Sequence, residues 1–286
     1  MSGAFVLPVE EKVTVATWNL WWSPSPVDFP ARLELAASAL AGVDVLLMQE
    51  SFTHDGVSSA ALLAELGGFP VCLETDSSPT RCAVLSRLPL LSFEEVALEP
   101  IRPPALGVPF RPAMSALLQH QPSGRRLRAV SAHLAWGALA EGARLRQAVL
   151  LADHLDSVVA GDVSHGSRDV AVIGMDSNTL PESSTIRFLR GLEPFGERST
   201  WFVDAWSAAT GPGFTSDPSN LYVARTATGQ DILDQRLLPP RRIDFLLVRG
   251  YVHGRPGCPV ASSLLGVDPP ASDHYGVRSD LWMPPA

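Results

Sequence analysis

The strongest constraint on the fold is a series of short apolar runs, each of strand length, spread along the whole chain. Residues 13–18, 43–49, 81–86, 90–98, 114–119, 127–132, 170–174, 243–248 and 276–282 read as strands. Their connections differ in kind. QPSG between 114–119 and 127–132 is a hairpin signal, and Pro89 marks a turn between 81–86 and 90–98. Other runs are separated by amphipathic stretches. Asp28 can cap a helix with Pro30 in its first turn; Leu33, Ala36, Ala37 and Leu40 then share one face, and Gly42 stops it. Residues 58–66 read as a short helix ended by Gly67 and Gly68, and 183–192 as another. The longest helix is 141–160, with an apolar stripe of Leu145, Val149, Ala152, Leu155 and Val159 and a stop at Gly161. Residues 210–240 are rich in Gly, Pro, Ser and Thr and read mostly as loop. Strands joined partly by hairpins and partly by helices do not suit a simple doubly wound sheet. They suit an α/β chain of two packed sheets with helices outside. With 286 residues and motifs running from 14 to 280 without a break, a single domain over 1–286 is expected.

The formal net charge of −8 disfavours a broad electrostatic surface for nucleic acid. No apolar stretch reaches the roughly 18 residues that a membrane span needs. The start, MSGAFVLPVEEKVTVATW, shows no basic residue followed by an apolar run, so no signal peptide is expected and the cytoplasm is the expected location. Cys72, Cys82 and Cys258 lack metal-ligand spacing and read as packed or incidental thiols of a reducing compartment.

The functional signal lies in the polar residues that border the apolar runs. VATWN ends at Asn19, VLLMQE at Glu50, AVSAH at His133, and AVIGMDSN at Asp176 and Asn178. RRID places Asp244 at the start of its strand, and ASDH puts Asp273 and His274 just before the last one. Each alone has an ordinary reading: a turn residue, a helix cap, an Asx turn, a satisfied core histidine. Together they form a coherent chemical set. Carboxylate and amide oxygens are hard ligands suited to Mg²⁺ or Mn²⁺, and imidazoles with further carboxylates can move protons and stabilise phosphoryl charge. There is no GxSxG elbow and no Walker loop, so water is the expected nucleophile.

The ordered set TWN, QE, LSR, AHL, GMDSN, RIDF and SDHYGV resembles the endonuclease/exonuclease/phosphatase superfamily, with the deoxyribonuclease I-like fold. The resemblance implies a four-layer α/β/β/α sandwich and a Mg²⁺-dependent phosphoesterase, with Mn²⁺ as a substitute. It implies that Asn19 and Glu50 bind the metal, with Asp273 near it. Asp176 would orient or deprotonate the attacking water, Asn178 hold a phosphate oxygen, and His133 donate to the phosphoryl group. Asp244 would pair with His274 and fix its tautomer. The general base is either Asp176 or His274. Two departures stand out. The usual motif is Gly-Asp-x-Asn, whereas here Met175 intervenes and the turn before it is expected to differ. Arg81 stands near a place that is often Gly. A carboxylate orients the first histidine in some members, a role open to Glu74 or Asp76.

DAW, GPGFTSDPSNLY and RRIDF resemble bacterial members and the neutral sphingomyelinase branch, so the substrate class stays open between nucleic acid, a phospholipid head group and a small phosphodiester. Trp21 and Trp22 follow Asn19 and are candidates to line a cleft. Arg242, beside Asp244, is a candidate substrate contact with Arg241, and Arg125, Arg126 and Arg128 lie near the hairpin. The alternatives are a phosphomonoesterase acting on a small phosphorylated metabolite and an inactive scaffold of the same fold. No protein partner is implied.

Overall fold

The computed structural model describes residues 11–21, 29–54, 56–76, 80–98, 111–159, 169–223, 238–250 and 254–286. In chain order the elements are β1 (Lys12–Asn19), α1 (Phe29–Ala39), β2 (Val45–Ser51), β3 (Thr53–His54), β4 (Val57–Ser58), α2 (Ser59–Gly67), β5 (Val71–Glu74), β6 (Arg81–Ser86) and β7 (Leu90–Val96). There follow β8 (Ala113–His120), β9 (Arg125–His133), α3 (Glu141–Val159), β10 (Asp169–Asp176), α4 (Ser184–Leu189), β11 (Phe202–Asp204), β12 (Asp244–Arg249), β13 (Pro259–Leu265) and β14 (Gly276–Trp282). Two six-stranded sheets result, ordered β13-β14-β1-β2-β6-β5 and β11-β12-β10-β9-β8-β7.

Each sheet is built around one parallel pair. β1 and β2 run parallel from Val15 opposite Val45 to Asn19 opposite Gln49, with α1 as the crossover. β9 and β10 run parallel from Arg126 opposite Asp169 to His133 opposite Asp176, with α3 as the crossover. A parallel pair cannot close through a tight turn, so a helix must carry the chain back across one face. Antiparallel neighbours flank each pair: β14 and β6 in the first sheet, β12 and β8 in the second. The C-terminal ends of the parallel strands therefore meet the N-terminal ends of β12 and β14 at one edge. That polarity explains why some site residues close their strands while others precede them.

Three apolar layers hold the sandwich. Val13, Val15, Val45 and Leu47 of the first sheet face Val170, Val172, Leu246 and Val248 of the second. The alternate residues point outward: Ala16, Trp18, Leu46 and Met48 onto α1 and α2, and Ala171, Ile173 and Met175 onto α3 and α4. Because both faces of these strands are covered, the runs are apolar throughout instead of alternating. Each fully buried Leu or Val contributes about 1.5–3 kcal/mol. At Gly174 the sheets approach so closely that a Cβ would sit 2.6 Å from Leu47 Cδ1 and 2.8 Å from Thr17 Cβ.

The local signals act as expected at α2, where the Ser58 side chain accepts from Ala61 N and Gly68, at φ 66, caps the other end. Gly42 at φ 72 follows α1, and the QPSG hairpin joins β8 to β9. The two strands around the Pro89 turn enter different sheets: β6 joins β2 and β5 in one, and β7 joins β8 in the other. Two expectations need correction. Helix α4 is shorter than 183–192, because Gly191 takes φ 73 just beyond it. The residue before Asp176 belongs to no turn, for Met175 lies in an unbroken ladder between Ala132 and Phe245. The sequence reading also missed β5, β11 and β13, which are short or at sheet edges, and the two-residue ladder of β3 with β4. Trp22, the Asp28 cap, the Gly161 stop and residues 224–237 of the expected loop lie outside the described residues. Among the described residues no helix is long and apolar enough to cross a membrane.

Candidate active site

The shared edge of the two sheets collects the expected polar residues, and the backbone there is strained. Trp21 (φ 56), Glu50 (φ 61) and Asn178 (φ 52) are the non-glycine residues with left-handed φ among those described. Such conformations cost on the order of 1–3 kcal/mol each and persist only where the surroundings impose them. Trp21 and Asn178 lie two residues beyond the ends of β1 and β10, and Glu50 is the penultimate residue of β2.

A buried polar girder ties the sheets beneath the edge. Gln49 Nε2 donates to Leu47 O at 3.0 Å, to Ser131 Oγ at 3.1 Å and, across the interface, to Gly174 O at 3.4 Å. Ser131 Oγ in turn donates to Met48 O at 2.7 Å. Buried polar groups must be satisfied, so this network fixes the strand ends relative to one another.

Asp176 is the hub. Its Oδ1 accepts from Asn178 N at 2.9 Å, and its Oδ2 accepts from Asn19 Nδ2 at 2.9 Å and lies 3.3 Å from His133 Nε2. Burial, then the charge of Asp244, raises the Asp176 carboxyl to about 7 against the opposing pull of His274, Asn19 and Asn178. Asp244 sits directly opposite in the ladder, fully buried, and its Oδ2 lies 2.9 Å from His274 Nδ1. Burial alone would lower His274, but the charges of Asp244, Asp176 and Asp273 outweigh it and hold the imidazole well above its ordinary value. The Nδ1–H of His274 thus donates to Asp244, which leaves Nε2 for a reacting group. Thr215 Oγ1 accepts from Asp244 N at 3.2 Å and anchors this strand start.

His133 is opposite in character. Burial first, then Arg111 and His274, hold it well below its ordinary value. Arg111 Nη1 lies 3.2 Å from His133 Nδ1 and 3.0 Å from Nε2. A guanidinium can only donate, and being nearly equidistant from both ring nitrogens it lies over the imidazole face and favours the neutral ring without choosing its tautomer. The His133–Asp176 contact is therefore a hydrogen bond and not an ion pair. Glu74 and Asp76 do not supply the partner of His133. Glu74 accepts from Ser51 Oγ and pairs with Arg81, while Asp76 N donates to Glu95.

Asp273 enters from the loop before β14. Ser272 Oγ donates to Asn19 O at 2.7 Å and so binds this loop to the end of β1. Burial raises Asp273 to about 6, and Glu50 adds to that against His274, Ser272 and Arg32. Asn19 Oδ1 accepts from Trp21 N at 2.9 Å. Asn178 Nδ2 donates to Leu134 O at 3.1 Å, which closes the turn after β10.

The donor chemistry fits a hard divalent cation. Donor atoms of Asp176, Asp244 and His274 lie within 4.8 Å of one another, and Asp244 Oδ1 is buried without a hydrogen-bond partner. The Asp176 carboxyl, raised by burial and then by the charge of Asp244, and the Asp273 carboxyl, raised by burial with Glu50 adding to it, are what a nearby cation would relieve. Asn19, Glu50 and Asp273 border the same cluster on the side of the first sheet.

The two arginines before Asp244 divide differently from expectation. Arg242 is committed to Asp204 at 2.7 Å and lies over the Phe245 ring at 4.4 Å, a buried structural pairing. Arg241 is the one that feels the charge of Asp176, and its Nη2 donates to Ser216 Oγ at 3.2 Å. Near the hairpin, Arg126 pairs with Asp169 and Arg125 donates to Pro285 O at 3.0 Å, so both serve the fold. Arg111 was missed by sequence reasoning, since a single Arg after a Pro-rich stretch carries no motif. Gln49 and Ser272 were visible inside QE and SDH but had no assigned task.

The family model described as Endonuclease/Exonuclease/phosphatase family matches residues 16–274. No curated protein matches the chain. Among solved structures, an endonuclease/exonuclease/phosphatase from Bacteroides vulgatus is similar with a TM-score of 0.71 at 17% identity, covering 95% of this chain and 99% of that one. A truncated Caenorhabditis elegans TDP2 is similar with a TM-score of 0.65 at 17% identity, covering 95% and 97%. A mannosyl-6-phosphatase of Bacteroides thetaiotaomicron is similar with a TM-score of 0.65 at 15% identity, covering 94% and 99%. At these identities the likeness is one of fold.

Proposed function

The chain belongs to the endonuclease/exonuclease/phosphatase family, and from that premise we propose that it is a divalent-metal-dependent phosphodiesterase acting as a single domain over residues 1–286. The observation that carries the reading is the convergence of Asp176, Asp244 and His274 at the edge where both parallel pairs end. Asn19, Glu50 and Asp273 would hold Mg²⁺ or Mn²⁺. When bound, the cation polarises a phosphoryl oxygen and offsets its charge.

The protein groups then divide the work. Asp176, fixed by Asn19 and Asn178, positions the water and takes its proton. As the water oxygen bonds to phosphorus, the bond from phosphorus to the ester oxygen breaks, and that oxygen leaves and takes up a proton. His274, held charged by the buried Asp244, stabilises the phosphoryl oxygens through Nε2. His133 would donate to the phosphoryl group, and burial first, then Arg111 and His274, keep it neutral. Arg241 replaces Arg242 as the proposed substrate cation, because it senses Asp176 while Arg242 is engaged by Asp204. The expected cytoplasmic setting belongs to this reading.

The test is turnover by the purified chain with Mg²⁺, with Mn²⁺ and with EDTA, on supercoiled plasmid, sphingomyelin, a simple phosphodiester and a simple phosphomonoester. Metal-dependent hydrolysis that falls at least about a hundredfold in Asp176→Ala and His274→Ala is expected. Unchanged turnover in both folded variants would remove the proposed site. A phosphomonoesterase is the second reading, favoured by the likeness to a structure named as a phosphatase. Release of inorganic phosphate from the monoester alone would select it.

A further inference from the structure

The first turns of α3 carry three side chains that reach away from their own helix. Glu141, Arg144 and Gln147 recur at intervals of three and so lie along one flank. Arg144 and Gln147 are each 4% exposed. An acid in the first turn of a helix ordinarily serves that helix's own amides or its dipole. Glu141 instead reaches the turn after β10 and the start of α4. Its Oε2 accepts from Thr179 Oγ1 at 3.0 Å, and its Oε1 accepts from Thr185 N at 2.8 Å. Burial alone would raise its carboxyl, but hydrogen bonds from Thr185, Arg144 and Thr179 outweigh it and bring the group below its ordinary value. Arg144 Nε donates to Glu141 Oε2 at 3.0 Å, and its Nη1 donates to Ala135 O at 3.0 Å and to Gly137 O at 2.8 Å. Ala135 N donates to Gln147 Oε1 at 2.9 Å.

Both turns held in this way carry groups of the site. Ala135 stands two residues after His133, and Thr179 one residue after Asn178. The turns also hold each other: Leu134 N donates to Asp176 O at 2.9 Å, and Asn178 Nδ2 donates to Leu134 O at 3.1 Å. Asn178 N donates to Asp176 Oδ1 at 2.9 Å while its backbone keeps the left-handed φ of 52. A conformation of that kind persists only where its neighbours over-determine it, and the Thr179 hydroxyl fastens the very next residue to a carboxylate. Every one of these bonds ends on the second sheet's half of the edge. Asn19, Glu50 and Asp273 stand on β1, on β2 and in the loop before β14.

Resting on the phosphodiesterase reading, we propose that Glu141 is a positioning residue: through Thr179 it fixes Asn178, and through Asn178 the Asp176 carboxylate that meets the attacking water, with no part in holding the metal. Glu141 touches no reacting atom. It acts on the geometry of proton transfer, and misplacement there lowers kcat while leaving uniform substrate binding in place. The signature is therefore a loss of kcat with KM and Mg²⁺ affinity kept, whereas a general loosening of the fold moves all three.

Thr179→Val removes the hydroxyl and keeps the shape, and Thr179→Ser keeps the hydroxyl. On a simple phosphodiester, kcat is expected to fall about tenfold in Thr179→Val and in Glu141→Gln, with KM and the calorimetric Kd for Mg²⁺ within about twofold of the parent, and to recover in Thr179→Ser. The double variant Glu141→Gln/Thr179→Val should lose no more than the worse single one, because the two groups form one link. A second readout needs no turnover. Amide hydrogen exchange followed by NMR is expected to quicken about tenfold at Leu134 and Asn178 in Thr179→Val, while Leu20, whose N–H donates to Gln49 O at 3.1 Å in the first sheet, keeps the parental rate. Parental kcat and exchange in Thr179→Val, a kcat loss shared by Thr179→Ser, or a loss accompanied by weaker Mg²⁺ binding and faster exchange at Leu20 would overturn the proposal. Faster exchange at Leu134 and Asn178 in Thr179→Val, with a parent that hydrolyses no ester, would count against the phosphodiesterase reading alone.

Discussion

Gly174→Ala tests whether sheet packing and site geometry are one feature. Gly174, Val172 and Asp176 share the inner face of β10, and Gly174 marks the closest approach of the sheets just below the site. An added methyl would meet Leu47 Cδ1 at 2.6 Å, Leu47 Cβ at 2.7 Å and Thr17 Cβ at 2.8 Å. Ordinary carbon contacts need about 3.5–4.0 Å, so each falls short by roughly 1 Å. Two of the three neighbours are Cβ atoms, which no rotamer change can remove, so the sheets must part. Overpacking of this kind costs about 1–3 kcal/mol, and for a domain of this size each kcal/mol lowers Tm by about 2–4 °C. The Asn19–Asp176 bond of 2.9 Å spans the same gap two residues further on. Parting of about 1 Å would break it, and a misplacement of that size can cost on the order of a hundredfold in rate. The assay is calorimetric melting beside kcat/KM on the best phosphodiester. Gly196→Ala is the control: its φ is 60 and nothing lies within 4 Å of its added Cβ, so it should lose stability from backbone strain with activity intact. A Gly174→Ala protein that melts like the parent and turns over at the parental rate would refute the reasoning.

Asp244→Asn keeps the shape of the buried side chain but removes the charge facing His274 Nδ1 at 2.9 Å, and kcat should fall by about 10²–10⁴; a loss under threefold would remove Asp244 from the mechanism. Mg²⁺ at a hundred times its Kd should stabilise the fold by about 2.7 kcal/mol, read as a rise in Tm that shrinks sharply in Glu50→Gln/Asp273→Asn; an equal rise in that variant would place the cation elsewhere. Asp280→Asn tests a structural carboxylate. Burial raises the Asp280 carboxyl, but Lys12 at 2.7 Å and Thr14 Oγ1 at 2.7 Å outweigh it and bring it below its ordinary value. Its folded pKa is thus below the unfolded one, so its stabilisation is present above pH of about 3.9 and is lost as pH falls through the folded value. The parent should be more stable than Asp280→Asn at pH 7, on the order of 1 kcal/mol, with the gap closing in acid; a gap independent of pH would contradict the pairing.

The sequence carried the layers and most of the edge, because both depend on patterns that survive in one dimension. An apolar run buried on both faces is visible as such, and a polar residue at its end stands out against it, as at His133 and Asp176. Partnership between distant runs is not visible. Residues 81–86 and 90–98 read as two strands around a Pro89 turn, and nothing in either run says that they enter different sheets, since pairing is decided by which strand covers β2 and which covers β8. β13 was hidden because an edge strand with one solvated face has too little apolar content to signal itself. Arg111 was hidden for another reason: its importance lies in an approach to His133 across 22 residues, and no local spacing encodes it. Arg241 and Arg242 show the finest limit. Adjacent in sequence, they part according to whether Asp204 or Asp176 is nearer.

Met175 shows how a departure from a motif can leave the chemistry in place. Read as an insertion into Gly-Asp-x-Asn, it would push Asp176 to the other face of its strand, because side chains alternate with a period of two. The ladder contains no such slip: Gly174 pairs with Ser131 and Leu246, Met175 with Ala132 and Phe245, and Asp176 with His133 and Asp244. Met175 therefore occupies a regular strand position and fills the layer beneath α3 and α4, fully buried. Gly174, two residues before Asp176, then shares the inner face with it and meets the requirement of close sheet approach that only a glycine satisfies. The position before the aspartate is free to carry a large apolar side chain because it faces the helices, while the constraint on the side that holds Asp176 is set by the facing sheet.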